Sequence, residues 1–294
     1  MKIAVYGQTY AKESSQKAFE ALTQELQKYE ADIYVESEFL KLQDQDILNN
    51  NKILTKSFKT LDQSYDLLVS IGGDGTILRA ITFVRDHNIP IIGINTGRLG
   101  FLATVQTEEI PRILPLIFDG KYKISERTLL SVKTVPSNSD IENINFAFNE
   151  VAVSRKNTTS MITVETHLND EYLTSYWADG LILSTPTGST GYSLSCGGPV
   201  IAPDANNFVL TPIAPHNLSA RPLVIPDNTA ISFKIDGRED RFLMSLDSRI
   251  VTLPNSTRVY VKKADFTIKM IELPHETFLD TLRKKLLWGE DRRN

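Results

Sequence analysis

The sequence predicts two folds in series: a parallel α/β domain and then an all-β domain. Two observations predict this. Up to about residue 122, apolar strand-like runs alternate with amphipathic helical segments, the pattern of a parallel sheet covered by helices. From there to about residue 272, short strands follow one another at regular spacing with turn signals between them, as in a sandwich or barrel.

The elements follow in order. Residues 2–6 read as a buried strand. Phe19, Leu22, Leu26 and Tyr29 recur at helical spacing, and Ile33-Tyr34-Val35 is a second strand. Residues 38–60 are polar, helical or irregular, with Asn49-Asn50-Asn51 as a loop. A strand at 66–70 runs into Gly72-Gly73-Asp74-Gly75-Thr76, and a helix continues to about His87. Residues 90–94 form the next strand. In the second part, strands are expected at Leu129–Val135, Phe146–Val153, Met161–Leu168, Leu181–Ser184, Ile231–Ile235, Val259–Lys262 and Phe266–Ile271. Asn169-Asp170 is a hairpin turn. Phe278, Leu279, Leu282 and Leu286 mark a closing amphipathic helix that returns to the first domain. The expected division is therefore 1–122 with 275–294, and 123–274.

Composition narrows the function classes. Across 294 residues the net charge is −4, which disfavours nucleic acid as a main partner. The single cysteine, Cys196, leaves no intramolecular disulfide framework, so a reducing compartment is expected. The N-terminus lacks the long apolar run of a signal peptide, and no apolar run is long enough to span a bilayer. A cytoplasmic protein is expected. The four histidines (87, 167, 216, 275) show no metal-ligand spacing, and no metal ligand is assigned.

Four stretches carry chemistry. The first is Gly72–Thr76, on a strand-to-helix turn. Backbone N–H groups of a glycine loop at a helix start approach phosphate oxygens. Asp74 would repel a phosphate, so the loop needs its carboxylate for a cation or for a hydroxyl to be deprotonated. The second is Asn95–Phe101, after the next strand and so at the same sheet edge, where the two loops could face one cleft. Phe101 could cover a planar ring or belong to the core. The third is Asn149-Glu150, an amide and a carboxylate able to hold ribose hydroxyls or a base edge. The fourth is Asp179-Gly180 followed by Ser184–Pro199. Eleven of the fifteen residues 184–198 are Gly, Ser or Thr, so this segment can wrap a ligand with N–H and hydroxyl donors. There is no G-x-x-x-x-G-K-[ST] loop, no G-x-G-x-x-G fingerprint and no protein-kinase motif set.

These motifs, in this order and spacing, resemble the bacterial NAD kinases from about residue 1 to 275. The glycine loop alone also resembles that of diacylglycerol and sphingosine-type lipid kinases. The stretch after Asp179 and the Asn-Glu pair are more specific. The resemblance implies a Rossmann-like α/β domain, a C-terminal β-sandwich-like domain and a cleft between them. It implies transfer of phosphate from ATP to the adenosine ribose 2′-hydroxyl of NAD, a divalent metal such as Mg²⁺, and a homo-oligomer, a dimer or tetramer. It makes Asp74 the general base and Gly72, Gly73, Gly75 and Thr76 the phosphate loop. Around the dinucleotide it places Gly75, Arg79, Phe101, Asn149, Glu150, Trp177, Asp179, Thr187, Thr190, Gly191, Tyr192, Ser193, Leu194, Ser195, Ala214 and Arg249. The chain departs from the family at Gly191, where many relatives have alanine, at Trp177, where some have a basic residue, and at Arg249, where some have an uncharged amide. Two alternatives remain: a lipid kinase, and a non-catalytic dinucleotide sensor on the same scaffold.

Overall fold

The computed structural model describes residues 1–8, 13–43, 56–157, 160–274 and 277–288. The expected loop at Asn49–Asn51 lies outside them. The chain forms two compact units, Met1–Glu126 with Ile268–Asn294, and Arg127–Thr267.

The sheet of the first unit is parallel. Strand β1 (Lys2–Gly7) lies between β2 (Asp32–Glu36) and β4 (Leu67–Ile71), with Ile3 opposite both Ile33 and Leu67. Strand β3 (Lys56–Phe58), not foreseen in the sequence, extends the sheet beyond β2, and β5 (Ile91–Asn95) extends it beyond β4. All five residues of β4 and of β5 are buried, which is why both read as continuous apolar runs. The short β6 (Val105–Gln106) also pairs with β5. The order β5-β4-β1-β2-β3 reverses its direction of growth between β1 and β4. Such a switch point brings the loops after two carboxyl strand ends together, and ligands bind there.

Helix α1 (Glu13–Leu26) buries Phe19, Leu22 and Leu26, as the spacing predicts. Helix α2 (Ser37–Lys41) starts on the Glu36 carboxylate, which accepts the N–H groups of Glu38 and Phe39. Helix α3 (Asp74–Val84) begins inside the glycine loop. Helix α4 (Ile110–Phe118) was not foreseen; its Pro111 sits in the first turn, where a missing N–H costs nothing, and Ile110, Ile113, Leu114 and Ile117 face the core. The closing helix, Phe278–Leu286, is capped by the Thr277 hydroxyl accepting the Asp280 N–H. Among the described residues no helix is long and apolar enough to cross a membrane.

The second unit is antiparallel. One sheet runs β14 (Leu223–Pro226), β13 (Asn207–Ile213), β12 (Gly180–Ser184), β9 (Glu150–Arg155), β16 (Arg241–Leu246) and β17 (Arg249–Pro254). The other includes β11 (Glu171–Ala178), β10 (Ile162–Leu168), β15 (Ile231–Gly237), the first part of β18 (Arg258–Glu272) and, paired with β18, β7 (Lys123–Val135). Leu181, Leu183, Phe208 and Phe242 of the first sheet pack against Val164, Phe233, Ile235 and Val259 of the second in one core, which makes the unit a β-sandwich. Asn169 and Asp170 both have positive φ, the conformation a two-residue hairpin turn demands.

Two expected strands change. Val259–Lys262 and Phe266–Ile271 belong to one strand, β18, and its end returns to the first unit from Ile268, with Met270 beside Ile91. The expected strand Phe146–Val153 breaks into β8 (Phe146–Ala147) and β9. The break falls on Phe148-Asn149, whose N–H groups point to a carboxylate instead of a neighbouring strand.

Candidate active site

The glycine loop follows β4 and is tied to the neighbouring strand by the Gly72 N–H, which donates to Ile94 O at 2.9 Å. Gly73 is the N-cap of α3 and contributes no side chain, and no atom lies near the position a Cβ would take at Gly73 or Gly75. The loop therefore presents bare backbone at the positive end of an eleven-residue helix.

Asp74 stands at the head of that helix, and its carboxylate is held by the second loop. Oδ2 accepts the Phe101 N–H at 2.8 Å, and Oδ1 accepts those of Leu102 and Ala103, both at 3.0 Å. A carboxylate has about four acceptor positions. Three are filled by backbone, and the remaining one is on Oδ2. Gly100 makes this possible, because a Cβ there would sit 1.9 Å from Asp74 Oδ1. Asn95, buried at the end of β5, braces the same loop. Its Oδ1 accepts the Gly97 N–H at 2.7 Å, and its Nδ2 donates to Arg98 O at 2.8 Å and Ala103 O at 3.0 Å. Lys285 of the closing helix donates to Leu99 O at 2.6 Å, with its ammonium 5.7 Å from the Phe101 ring centre. By sequence alone, the run Arg283-Lys284-Lys285 reads as a solvated helix face. Nothing in the sequence pairs Lys285 with a loop so distant along the chain.

In the second unit, Asn149 and Glu150 lie where β8 and β9 separate. Their backbone is held on both sides. Asp247 accepts the N–H groups of Phe148 (3.0 Å), Asn149 (2.7 Å) and Glu150 (3.2 Å). Thr185 Oγ1 donates to Phe148 O, and Ser184 Oγ and the Thr185 N–H donate to Asn149 O. The side chains are not so satisfied: Asn149 Oδ1 and Glu150 Oε2 are buried without a hydrogen-bond partner. Gly191 lies against both, its Cβ position 3.2 Å from Glu150 Oε2 and 3.4 Å from Asn149 Nδ2. Burial and, second, the charge of Asp247 raise the Glu150 carboxyl to about 7, partly offset by a bond from the Tyr192 N–H. Buried acceptors without donors are costly unless a ligand supplies hydroxyl or N–H groups.

With this geometry in view, comparison with known proteins decides the family. The family model described as the ATP-NAD kinase N-terminal domain matches residues 2–122, and that described as the ATP-NAD kinase C-terminal domain matches residues 148–273. The chain belongs to the NAD kinase family. It is 57% identical over 296 residues to the NAD kinase of Flavobacterium psychrophilum, covering 100% of both chains. It is 47% identical over 300 residues to that of Cytophaga hutchinsonii, again covering 100% of both. Two solved structures share the fold at 24% identity. Yeast NADH kinase complexed with NADH superposes with a TM-score of 0.86, covering 100% of this chain and 89% of that one. An Archaeoglobus fulgidus NAD kinase in complex with ATP gives 0.75, covering 98% and 99%.

The other residues that NAD kinase resemblance selects fall into groups. Arg79 is exposed on α3. Asp179 is paired with Arg155 at 2.8 Å, a partner the sequence reading did not name. Thr187 and Ser193 are buried, and the Ser193 hydroxyl is 2.8 Å from that of Thr211. Thr190 Oγ1 donates to Thr187 O at 3.2 Å. Leu194 is half-buried and Ser195 exposed. Trp177 and Tyr192 are exposed aromatics. The Trp177 ring lies 4.4 Å from that of His216, and the Trp177 backbone N–H donates to Asn217 Oδ1; Ala214 has a positive φ. Arg249, expected near the dinucleotide, also braces the fold. Its guanidinium donates to Ile144 O (2.7 Å) and to Phe146 O, 3.8 Å from Asp247, so its donors serve the fold. Among the described residues no three His, Cys, Asp or Glu side chains come together to hold a metal ion.

Proposed function

We infer that the chain is an NAD kinase, phosphorylating the adenosine ribose 2′-hydroxyl of NAD with ATP to give NADP and ADP. The observation that carries this reading is Asp74: a carboxylate fixed by three N–H donors at the head of a bare glycine loop, with one acceptor position left. A phosphate site alone has no use for it. A hydroxyl that must lose its proton does.

The 2′-oxygen bonds to the γ-phosphorus, the bond from that phosphorus to the β,γ-bridging oxygen breaks, and the hydroxyl proton passes to Asp74 Oδ2. Phosphoryl transfer depends mainly on positioning, so a rigidly held carboxylate suits it. The loop N–H groups and the start of α3 bind the phosphates. Asn149 and Glu150 hold hydroxyl groups of the dinucleotide through their unpartnered oxygens, and Phe101 packs near the adenine. The divalent cation arrives with ATP, and the chain's assembly is a homo-oligomer, both by family resemblance. Nothing among the described residues favours the lipid-kinase or the non-catalytic sensor alternative.

Incubation of the purified protein with ATP, Mg²⁺ and NAD should yield NADP, read by an NADP-specific cycling assay. A protein that binds NAD but makes no NADP, or that phosphorylates lipid instead, would overturn the reading.

A further inference from the structure

We propose that Asp247 is a positioning residue for the dinucleotide: its carboxylate gathers the N–H groups of Phe148, Asn149 and Glu150 and so fixes the two side chains before the ligand arrives. This rests on the reading of Asn149 and Glu150 as dinucleotide ligands.

The geometry repeats, in the second unit, what Asp74 does in the first. Each carboxylate accepts three consecutive backbone N–H groups. The two differ in outlook. Asp74 is half-buried and keeps one acceptor position. The Asp247 side chain is only 5% exposed, and Arg249 lies 3.8 Å from it. Asp247 therefore cannot itself meet a ligand, and its effect must pass through the segment it holds.

That segment would otherwise be poorly determined. Phe148-Asn149 interrupts the strand, so no ladder partner fixes its N–H groups. Asp247 supplies the missing acceptor, and its own N–H donates back to Glu150 O at 2.9 Å. From the opposite side, Gly188 lets the Ser184–Gly188 turn close on Asn149, since a Cβ there would be 2.1 Å from Asn149 O. With every backbone group from Phe148 O to Glu150 O engaged, the buried orphans Asn149 Oδ1 and Glu150 Oε2 stand in fixed places. Holding ligand groups by a supporting shell of hydrogen bonds removes the ordering cost from binding. Asp247 has a φ of 54°, a left-handed conformation that asparagine also tolerates. Asp247→Asn thus keeps the turn and the side-chain shape. It replaces the acceptor for Phe148 with a donor and removes the charge.

The test measures NAD binding by calorimetry, without ATP, for wild type, Asp247→Asn and Glu150→Gln across pH 5.5–8.5, a range set by the Glu150 value of about 7. The groups that bear on Glu150 are Asp247, the Tyr192 N–H and the Tyr192 hydroxyl, while Arg249 faces Asp247. An ionised Glu150 is the better acceptor for a ligand hydroxyl, so wild-type affinity should rise with pH through about 7. Asp247→Asn should weaken binding by about tenfold or more, as loss of an outer-shell partner does. It should also move the pH midpoint to lower pH, because the charge that raises Glu150 is gone. Amides 148–150 of the folded variant should also exchange faster than in wild type while the rest of the sheet does not, which loss of charge alone would not cause. Unchanged affinity, or weakened affinity with an unmoved midpoint, overturns the proposal. Hydrogen exchange of the wild type decides if the variant does not fold: amides 148–150 must be protected without ligand, and fast exchange there overturns the proposal. If wild type binds no NAD at all, the functional reading fails instead.

Discussion

Asp74 Oδ2 accepts the Phe101 N–H at 2.8 Å, so the candidate base and the candidate adenine platform are fixed to one another in the free protein. This changes what mutation of Asp74 would mean. In Asp74→Asn an amide N–H₂ must face one of the three loop N–H groups. The variant then loses the base and loosens Phe101–Ala103 together. Lost turnover, by itself, does not separate the two effects.

Gly100→Ala does separate them. Its Cβ would sit 1.9 Å from Asp74 Oδ1 and drive the carboxylate from its three donors while leaving it chemically intact. Misplacement on the order of 1 Å can cost about 10²-fold in rate. We expect kcat for NADP formation to fall by about that factor, with circular dichroism unchanged. A near-normal kcat would mean that Asp74 acts without the clamp.

Glu150 makes stability pH-dependent. Its folded value, about 7, lies above the ordinary 4.5 because burial penalises the anion and Asp247 repels it. Between these values the folded state binds the extra proton, so stability is full below about pH 4.5 and is lost as pH rises through about 7. The shift bounds the effect at about 3 kcal/mol. Glu150→Gln should therefore melt higher than wild type at pH 8 and nearly equally at pH 5, where both side chains are neutral. It should also bind NAD more weakly, the usual conflict between a binding site and stability. Equal melting temperatures at pH 8 would contradict the assignment.

Lys285 should matter for binding and little for chemistry. It holds Leu99 O and lies over the Phe101 ring from an exposed position. Such contacts are worth about 1 kcal/mol or less each. Lys285→Met should raise KM for NAD by about twofold to tenfold and leave kcat within about twofold, in steady-state assays at saturating ATP.

Arg249 should matter for folding. Removing it leaves Ile144 O and Phe146 O without their donor and Asp247 without its nearest cation. Breaking such a partly buried set costs about 3–5 kcal/mol. Arg249→Met should lower the denaturation midpoint accordingly. A large loss of NAD affinity with unchanged stability would leave only the ligand role expected from sequence.

The sequence by itself determined the family, the two-fold plan and the loops that carry chemistry. These are local or periodic signals. Three glycines around Asp74, the strand–helix alternation and the run at Ser184–Pro199 can be read without knowing what folds against them. Only the tertiary structure decided what the named groups touch. Asp74 looked like a free base and is clamped by Phe101–Ala103. Arg249 looked like a ligand and also braces Ile144 and Phe146. Phe146–Val153 looked like one strand and breaks at Phe148 because Asp247, far along the chain, takes the N–H groups. Lys285 looked solvated and holds Leu99. In each case the deciding interaction is a hydrogen bond between residues distant in sequence, which leaves no spacing or period to read. A side chain's type states what it can donate or accept, and the fold alone states to whom.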